Sequence, residues 1–161
     1  MSPAIPPRTP PPAVGEPAPD FTLRTQHGEP VRLADLRGER HTVLVFFPFA
    51  FTSVCTGELR ALRDAQARFV NNDVQLLAVS CDSMHALRVF AEQEGIDYPL
   101  LSDFWPHGNV SNAYGVFDDE KGCAVRGTFV IDKTGVIRWV VVNDLPDARD
   151  LNDYVKALDS L

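Results

Sequence analysis

The sequence is poor in cysteine and has no thiol pair with a recognisable spacing. Its 161 residues contain three cysteines, Cys55, Cys81 and Cys123, and none of them forms a Cys-x-x-Cys motif. Three scattered cysteines are too few for the disulfide framework of a small secreted protein, and no Cys/His cluster has the spacing of zinc ligands. We therefore expect a reducing, cytoplasmic compartment and no bound metal.

Long apolar runs and clustered basic residues are also missing. No apolar run approaches the ~18 residues that span a membrane, and the first residues lack the charged-then-apolar pattern of a signal peptide. Lys and Arg total 15 against 22 Asp and Glu, which gives a net charge of −7. Nucleic acids and anionic membranes attract clustered positive charge, so we expect neither as a partner.

What is present predicts one domain with a short tail. Apolar residues make up 45% of the chain, enough at this length for a single buried core. Residues 1–12 hold six of the 13 prolines and little that could pack. We expect residues 1–13 to be a flexible, proline-rich tail and residues 14–161 to be the domain.

Two continuous apolar runs predict buried parallel strands at residues 42–47 and 74–79. Between them, residues 52–69 have the apolar spacing of an amphipathic helix, carried by Cys55, Leu59, Leu62 and Phe69. Strand, helix and strand in this order predict a parallel βαβ unit. Pro48 removes a backbone donor and ends the first of these strands.

The remaining pattern predicts a mixed α/β sheet flanked by helices. A hairpin is expected near the start, and a second helix should be capped by Ser83 and end at Gly95. A short helix is expected at residues 110–114. Late in the chain, residues 128–132 and 136–142 are predicted to pair as an antiparallel hairpin, followed by a last helix.

Cys55 is predicted to lie in the first turn of its helix. Free backbone N–H groups and the helix dipole converge there, so a thiolate is stabilised over a thiol. Thr52 lies one turn earlier, and its hydroxyl can reach the sulfur or the molecule that the sulfur attacks. The alternative is that Cys55 is a small buried apolar residue and Thr52 an N-cap.

The spacing Pro48-x-x-x-Thr52-x-x-Cys55 favours the first interpretation, because it resembles the active-site signature of the peroxiredoxins. Further stretches resemble the same family, namely Ala18-Pro19-Asp20-Phe21-Thr22-Leu23 and Arg126-Gly127-Thr128-Phe129-Val130-Ile131-Asp132. Residues 101–108 and 113–117 are similar to its alkyl hydroperoxide reductase E subgroup, which is of the one-cysteine type. The resemblance covers about residues 14–161 and implies a thioredoxin-like fold.

The resemblance also implies an activity and a set of site residues. It implies a thiol-specific peroxidase that reduces hydrogen peroxide and organic hydroperoxides without metal, haem or flavin, through a Cys55 sulfenic acid. It places the stabilising cation at Arg126 and a shielding role at Pro48. Alternatively, Arg126 is a solvated strand residue paired with an acid such as Glu120. Glu58 can pair with Arg126, but an exposed helix glutamate is more common, so we leave it out of the site.

The thiol that reduces the sulfenic acid is not evident from the sequence. Arg60 occupies the position, five residues after Cys55, where one peroxiredoxin subgroup has its resolving cysteine. Cys81 is expected at the same sheet edge as Cys55, yet a disulfide needs Cα atoms within about 7 Å, and Cys123 has less in its favour. We therefore expect an external thiol or a redoxin as the reductant.

The sequence leaves two other functions open, and it bears on the oligomeric state. A disulfide oxidoreductase on the same fold would need a second cysteine two residues from its partner, which Cys55-Thr56-Gly57-Glu58 lacks. A non-catalytic redox-sensing or chaperone-like module would have an inert Cys55. Phe104 and Trp105 are either core residues or part of a homodimer interface, which the resemblance favours, and we assign His107 no catalytic role.

Overall fold

A seven-stranded mixed sheet forms the centre of the computed structural model, which describes residues 9–68 and 70–161. The strands lie in the order β2-β1-β5-β4-β3-β8-β9, and β6 pairs with β7 in a separate hairpin. The elements in chain order are β1 (Thr22–Thr25), β2 (Pro30–Arg32), β3 (His41–Phe46), α1 (Ser53–Ala65), β4 (Val74–Ser80), α2 (Met84–Glu94), β5 (Leu100–Ser102), α3 (Asn109–Ala113), β6 (Phe117–Asp118), β7 (Cys123–Ala124), β8 (Arg126–Ile131), β9 (Ile137–Asn143) and α4 (Leu151–Asp159).

The pairing of β3 with its neighbours confirms the predicted sheet. β3 runs parallel to β4, with Val43 opposite Leu76, and β4 runs parallel to β5. On its other side β3 pairs antiparallel with β8, which forms the predicted hairpin with β9. The α/β class and the mixed sheet flanked by helices are therefore confirmed.

Two apolar clusters cover the two faces of the sheet, because successive side chains of a strand point to opposite sides. Val43, Val45 and Phe47 face one cluster, which is completed by residues of α1, α2 and α4. Leu44 and Phe46 face the other cluster, which includes residues of α3 and of the N-terminal segment. Burial on both faces explains why β3 reads as an unbroken apolar run.

The helix boundaries follow the predicted caps closely. Ser83 accepts a hydrogen bond from the Ala86 backbone N–H, and Gly95 ends α2 in the left-handed conformation, as expected. The helix that begins after Thr52 ends at Ala65 and continues as a 3₁₀ turn over Gln66–Arg68, which is earlier than predicted. The predicted contact of Phe69 lies outside the described residues.

Three short strands, β5, β6 and β7, were not predicted, whereas the short helix expected at residues 110–114 is present as α3. β5 has three residues, and β6 and β7 have two each, which is too short to give a periodic pattern. The predicted tail lies partly outside the described residues, and its mobility stays a prediction. Residues 9–11 pass close to Gly115, where a Cβ atom would lie 2.4 Å from the Pro11 nitrogen. Among the described helices, none is both long enough and apolar enough to cross a bilayer.

Candidate active site

Cys55 lies where the central strand meets its helix. β3 delivers the chain to the buried Pro48, and α1 begins at Ser53 after the N-cap residue Thr52. Cys55 is therefore the third helical residue, and its side chain is fully buried. The first N–H groups of a helix have no partner within the helix, so they point toward this end of α1. The expected position of Cys55 in the first helical turn is confirmed.

The loop between Pro48 and Thr52 is held against the end of β4. The Ala50 backbone N–H donates to the Asp82 carboxylate at 2.9 Å, and the same oxygen accepts from the Ser80 hydroxyl at 2.7 Å. Phe51 adopts a left-handed backbone with φ of 71°, which is unfavourable for a residue with a Cβ. The centroid of its ring lies 5.2 Å from the centroid of the Phe90 ring. These contacts fix the loop that precedes Cys55.

Thr52 occupies the N-cap position but does not cap the helix with its side chain. Its hydroxyl instead donates to the Phe49 carbonyl at 2.8 Å. Because the hydroxyl proton is used in this bond, the oxygen presents its lone pairs, which can accept a hydrogen bond from a substrate hydroxyl. The residue is exposed, so it lies at the solvent side of the buried sulfur.

Arg126 contacts the sulfur of Cys55. Its Nη1 atom donates to Cys55 Sγ at 3.3 Å, and its side chain is 3% exposed. Its Nε donates to the Leu145 carbonyl at 2.6 Å. The predicted association of Arg126 with Cys55 is thus present, and the alternative of a solvated arginine paired with Glu120 is wrong. A buried guanidinium therefore lies directly beside the sulfur of Cys55.

Glu58 lies between two arginines, which corrects the expectation of an exposed helix residue. Its Oε1 atom accepts from Arg126 Nη1 at 2.5 Å and from Arg149 Nη2 at 2.9 Å, and it is 8% exposed. Burial opposes ionisation of Glu58, but the hydrogen bonds and charge of Arg149, together with the charge of Arg126, outweigh it. The pKa of this carboxyl is therefore held below its usual value.

Arg149 was missed by the sequence analysis. It precedes α4, and its side chain is 2% exposed. Besides Glu58, its Nη1 atom donates to the carbonyls of Phe46 and Gly127 at 2.6 and 2.8 Å. Arg149 thereby ties the end of β3 and the start of β8 to α1. Its position in a polar stretch, 91 residues from Glu58, gave no signal in the sequence.

The side chains of Glu58, Arg126 and Arg149 do not balance in charge. Two buried arginines face one buried carboxylate. The group therefore carries one excess positive charge next to the sulfur of Cys55. Buried charges are costly unless they are paired, so the cluster suits a reaction in which negative charge develops beside it.

The other two cysteines lie in less reactive surroundings. All three cysteines are free thiols and buried. Burial raises the pKa of Cys81 to about 12, and the nearby Asp103 adds to the effect. Burial likewise raises the pKa of Cys123 to about 11. Cys81 follows β4 at the predicted edge of the sheet, where its Sγ lies 3.8 Å from the Ser111 hydroxyl. Neither thiol is poised to attack as a thiolate.

The remaining candidates lie outside the cluster. Trp105 and Phe104 are 82% and 51% exposed, which excludes the alternative that they belong to the core. His107 bridges two turns, with its ring nitrogens 3.1 Å from the Phe104 carbonyl and 2.7 Å from the Gly122 carbonyl. Within residues 9–68 and 70–161, no three His, Cys, Asp or Glu side chains are grouped so that they could hold a metal.

Comparison with known sequences identifies relatives over nearly the whole chain. The model of the AhpC/TSA family matches residues 14–140. Alkyl hydroperoxide reductase E of Mycobacterium tuberculosis is 48% identical over 148 residues, which cover 92% of this chain and 97% of that protein. Peroxiredoxin tpx1 of Schizosaccharomyces pombe is 36% identical over 157 residues, covering 91% and 80% of the two chains.

Comparison with solved structures also identifies peroxiredoxins as relatives. The reduced 2-Cys peroxiredoxin of Plasmodium vivax superposes with a TM-score of 0.83 at 29% identity, over 92% of this chain and 81% of that one. Peroxidoxin BcpB from Mycobacterium tuberculosis superposes with a TM-score of 0.81 at 31% identity, over 92% of this chain and 97% of that one. The chain therefore belongs to the AhpC/TSA family and is a peroxiredoxin, a thiol-dependent peroxidase with the thioredoxin fold.

Proposed function

We propose that Cys55 is the nucleophile of this peroxidase and that Arg126, Thr52 and Pro48 are its site residues. The observation that carries the proposal is the buried contact of 3.3 Å between Arg126 Nη1 and Cys55 Sγ. It supplies the charge that a thiolate nucleophile needs. A planar donor beside the sulfur also supports the binding of a peroxide oxygen there.

The first chemical step is the attack of the Cys55 thiolate on one peroxide oxygen. The S–O bond forms as the O–O bond breaks, and the electron pair of that bond leaves on the second oxygen as alkoxide or hydroxide. Cys55 becomes a sulfenic acid, and a proton from solvent converts the leaving oxygen to alcohol or water. Donors aimed at the developing negative charge accelerate such a step most in a site that excludes water.

Arg126 has donors left for that role. Its Nε and Nη1 atoms are bound to Leu145, Cys55 and Glu58. Over the part of the chain that the structure describes, Nη2 makes no hydrogen bond, so its N–H groups can bind the peroxide. The Thr52 hydroxyl oxygen can accept the peroxide O–H at the solvent side, and the buried Pro48 limits the access of water.

We propose hydrogen peroxide and organic hydroperoxides as substrates. The AhpC/TSA family and a relative named alkyl hydroperoxide reductase support the organic class. The exposed rings of Phe49 and Phe51 beside Thr52 support it too, because they offer an apolar surface to the organic part of a hydroperoxide.

An external thiol or a redoxin completes the cycle. The thiol attacks the Cys55 sulfur, water leaves, and a mixed disulfide forms, which a second thiol reduces to regenerate Cys55. The raised pKa values of Cys81 and Cys123 support an external reductant, because buried neutral thiols attack slowly.

We further propose that the protein is a cytoplasmic homodimer. The three free cysteines suit a reducing compartment. The exposed Phe51, Phe104 and Trp105 support self-association, because large exposed apolar side chains mark interaction surfaces. Sedimentation of the wild type and of Trp105→Glu tests the dimer, since a charge at the interface should favour the monomer.

The proposed nucleophile is tested by the initial rate of peroxide consumption in the reduced protein. Cys55→Ser should abolish it while the circular dichroism spectrum stays unchanged, because serine keeps the shape and loses the thiolate. Cys81→Ser and Cys123→Ser are the matched controls and should keep the rate. Substantial activity in Cys55→Ser would refute the assignment, as would an equal loss in either control.

A further inference from the structure

The loop between β9 and α4, residues 144–150, brings three groups to the charged cluster. The Leu145 carbonyl accepts from Arg126 Nε at 2.6 Å. The Arg149 backbone N–H donates to Glu58 Oε2 at 2.7 Å, and the Arg149 side chain binds both oxygens of the same carboxylate. One short loop thus contacts both partners of the ion pair that lies beside Cys55.

The Leu145 carbonyl limits the rotation of the Arg126 guanidinium. If only Nη1 were held, by its contacts with Cys55 and Glu58, the guanidinium plane could still turn about these bonds. The bond from Nε to Leu145 holds the opposite edge of the plane. With two edges held, Nη1 stays directed at the sulfur.

The side chain of Leu145 and the ring of Pro146 hold this carbonyl in place. Leu145 is half-buried and packs against the apolar cluster that contains Phe46 and Phe129. Pro146 restricts the residue before it to extended backbone conformations, which limits the directions of the Leu145 carbonyl. The apolar anchor and the backbone restriction therefore both come from the adjacent residues Leu145 and Pro146.

Asn143 provides the third restraint. It is the last residue of β9 and lies opposite Arg126 in the β8–β9 ladder. Its side-chain amide donates to the carbonyls of Asp147 and Ala148 at 3.2 and 3.4 Å. This contact closes the loop back onto the strand and sets the distance between Leu145 and Arg149.

We propose that residues 144–150 are a positioning loop of the peroxidase site, with Asn143 and Leu145 as positioning residues that act through Arg126. The inference rests on the proposed role of Cys55 and Arg126 in catalysis. Over residues 9–68 and 70–161, the hydrogen bond to Cys55 Sγ comes from Arg126 and not from Asn143 or Leu145. The effect of the loop is therefore on how well Arg126 stabilises the reacting sulfur and the leaving oxygen.

The proposal is tested with Asn143→Ala and Leu145→Ala. We expect each to lower the second-order rate constant for peroxide by about fivefold to fiftyfold, as misplacement of a catalytic group does. The pH dependence of the rate should change as well, because the guanidinium beside the sulfur is less well placed. Val142→Ala, which truncates an exposed side chain of the same strand, is the control and should change neither.

A conservative variant separates positioning from stability. Leu145→Met keeps the apolar anchor and should restore the rate and the pH profile. Urea unfolding of every variant identifies loss of stability, which alone would not move the pH profile of the folded fraction. If Leu145→Ala does not fold, Asn143→Ala and Pro146→Ala carry the test.

The outcomes also distinguish this inference from the proposed function. If Cys55→Ser is inactive but Asn143→Ala and Leu145→Ala keep the wild-type rate and pH profile, the loop proposal is refuted and the proposed function stands. If Cys55→Ser retains its activity, the proposed function fails first. A slower rate with an unchanged pH profile would also refute the positioning role.

Discussion

Arg126 Nη1 lies 3.3 Å from Cys55 Sγ, although 71 residues separate the two in the chain. The contact forms because β8, which begins with Arg126, pairs antiparallel with β3, which leads to the helix of Cys55. Both side chains are buried, and Glu58 compensates only part of the positive charge that Arg126 and Arg149 bring. The sheet topology therefore places a buried guanidinium beside the sulfur of Cys55.

Replacement of Arg126 by Lys should slow the reaction with peroxide by about 10²–10³-fold. Lysine keeps the charge but cannot hold the sulfur, Glu58 and a peroxide oxygen in one plane, and loss of an oxyanion donor has effects of this size. The measurement is the second-order rate constant from stopped-flow mixing with hydrogen peroxide. Arg138→Lys, at an exposed arginine of β9, is the matched control. A decrease below tenfold would contradict the role of Arg126.

Replacement of Thr52 by Val should also lower the rate constant, whereas Thr52→Ser should have a mild effect. Valine keeps the shape of threonine and removes the oxygen. Serine keeps the hydroxyl, which in the wild type donates to the Phe49 carbonyl. The ratio of the two rate constants at one pH measures the contribution of the oxygen. Equal effects would mean that the methyl group of Thr52 matters through packing.

Replacement of Glu58 by Gln should destabilise the fold by about 3–5 kcal/mol, because it leaves two buried arginines without their carboxylate partner. The pKa of Glu58 is lowered by folding, so its ionisation stabilises the native state above its ordinary pKa near 4.5. That stability is lost as the pH falls below this value toward the lower pKa of the folded state.

The measurement is the free energy of unfolding by urea between pH 7 and pH 3. Wild type should lose stability over the acid part of this range, and Glu58→Gln should lose less, because glutamine has no proton to gain. Glu92→Gln removes an exposed partner of Arg88 and should leave the curve nearly unchanged. Parallel curves for wild type and Glu58→Gln would show that the carboxylate is not the group that titrates.

The sequence predicted the residues that local chain geometry brings together. Pro48, Thr52 and Cys55 follow one another through a strand end and a helix start, so their spacing alone places them at one site. The partnership of Arg126 with Cys55 came from the resemblance to a family and not from local pattern. Its contact with the sulfur depends on a strand pairing that periodicity does not determine.

The groups that surround Arg126 could not be predicted in the same way. Glu58 follows Cys55 by three residues and so lies on the same face of α1, which was a usable signal. Its burial, however, depends on Arg149, and Arg126 is held by the Leu145 carbonyl. Both come from a polar loop that lies more than 80 residues after Glu58. Backbone carbonyls are present in every residue and therefore leave no mark in a sequence.

The last prediction concerns the reductant: Cys55 should complete its cycle with an external thiol. The near resolving position is Arg60, whose side chain pairs with Glu94 on the surface. Burial raises the pKa of Cys81 and Cys123, so neither forms a thiolate readily at neutral pH. A sulfenic acid at Cys55 should therefore persist until a thiol enters the site from solvent.

The measurement is the intact mass of the protein under non-reducing conditions, after an equimolar amount of peroxide and no added thiol. Wild type and the variant with both Cys81→Ser and Cys123→Ser should each gain one oxygen, and a sulfenic-acid reagent should trap it at Cys55. The double variant is the control, because it has no second cysteine that could react with the Cys55 sulfenic acid. If wild type instead loses two hydrogens and yields a peptide that links Cys55 to Cys81 or Cys123, an internal resolving cysteine operates and the one-cysteine cycle is wrong.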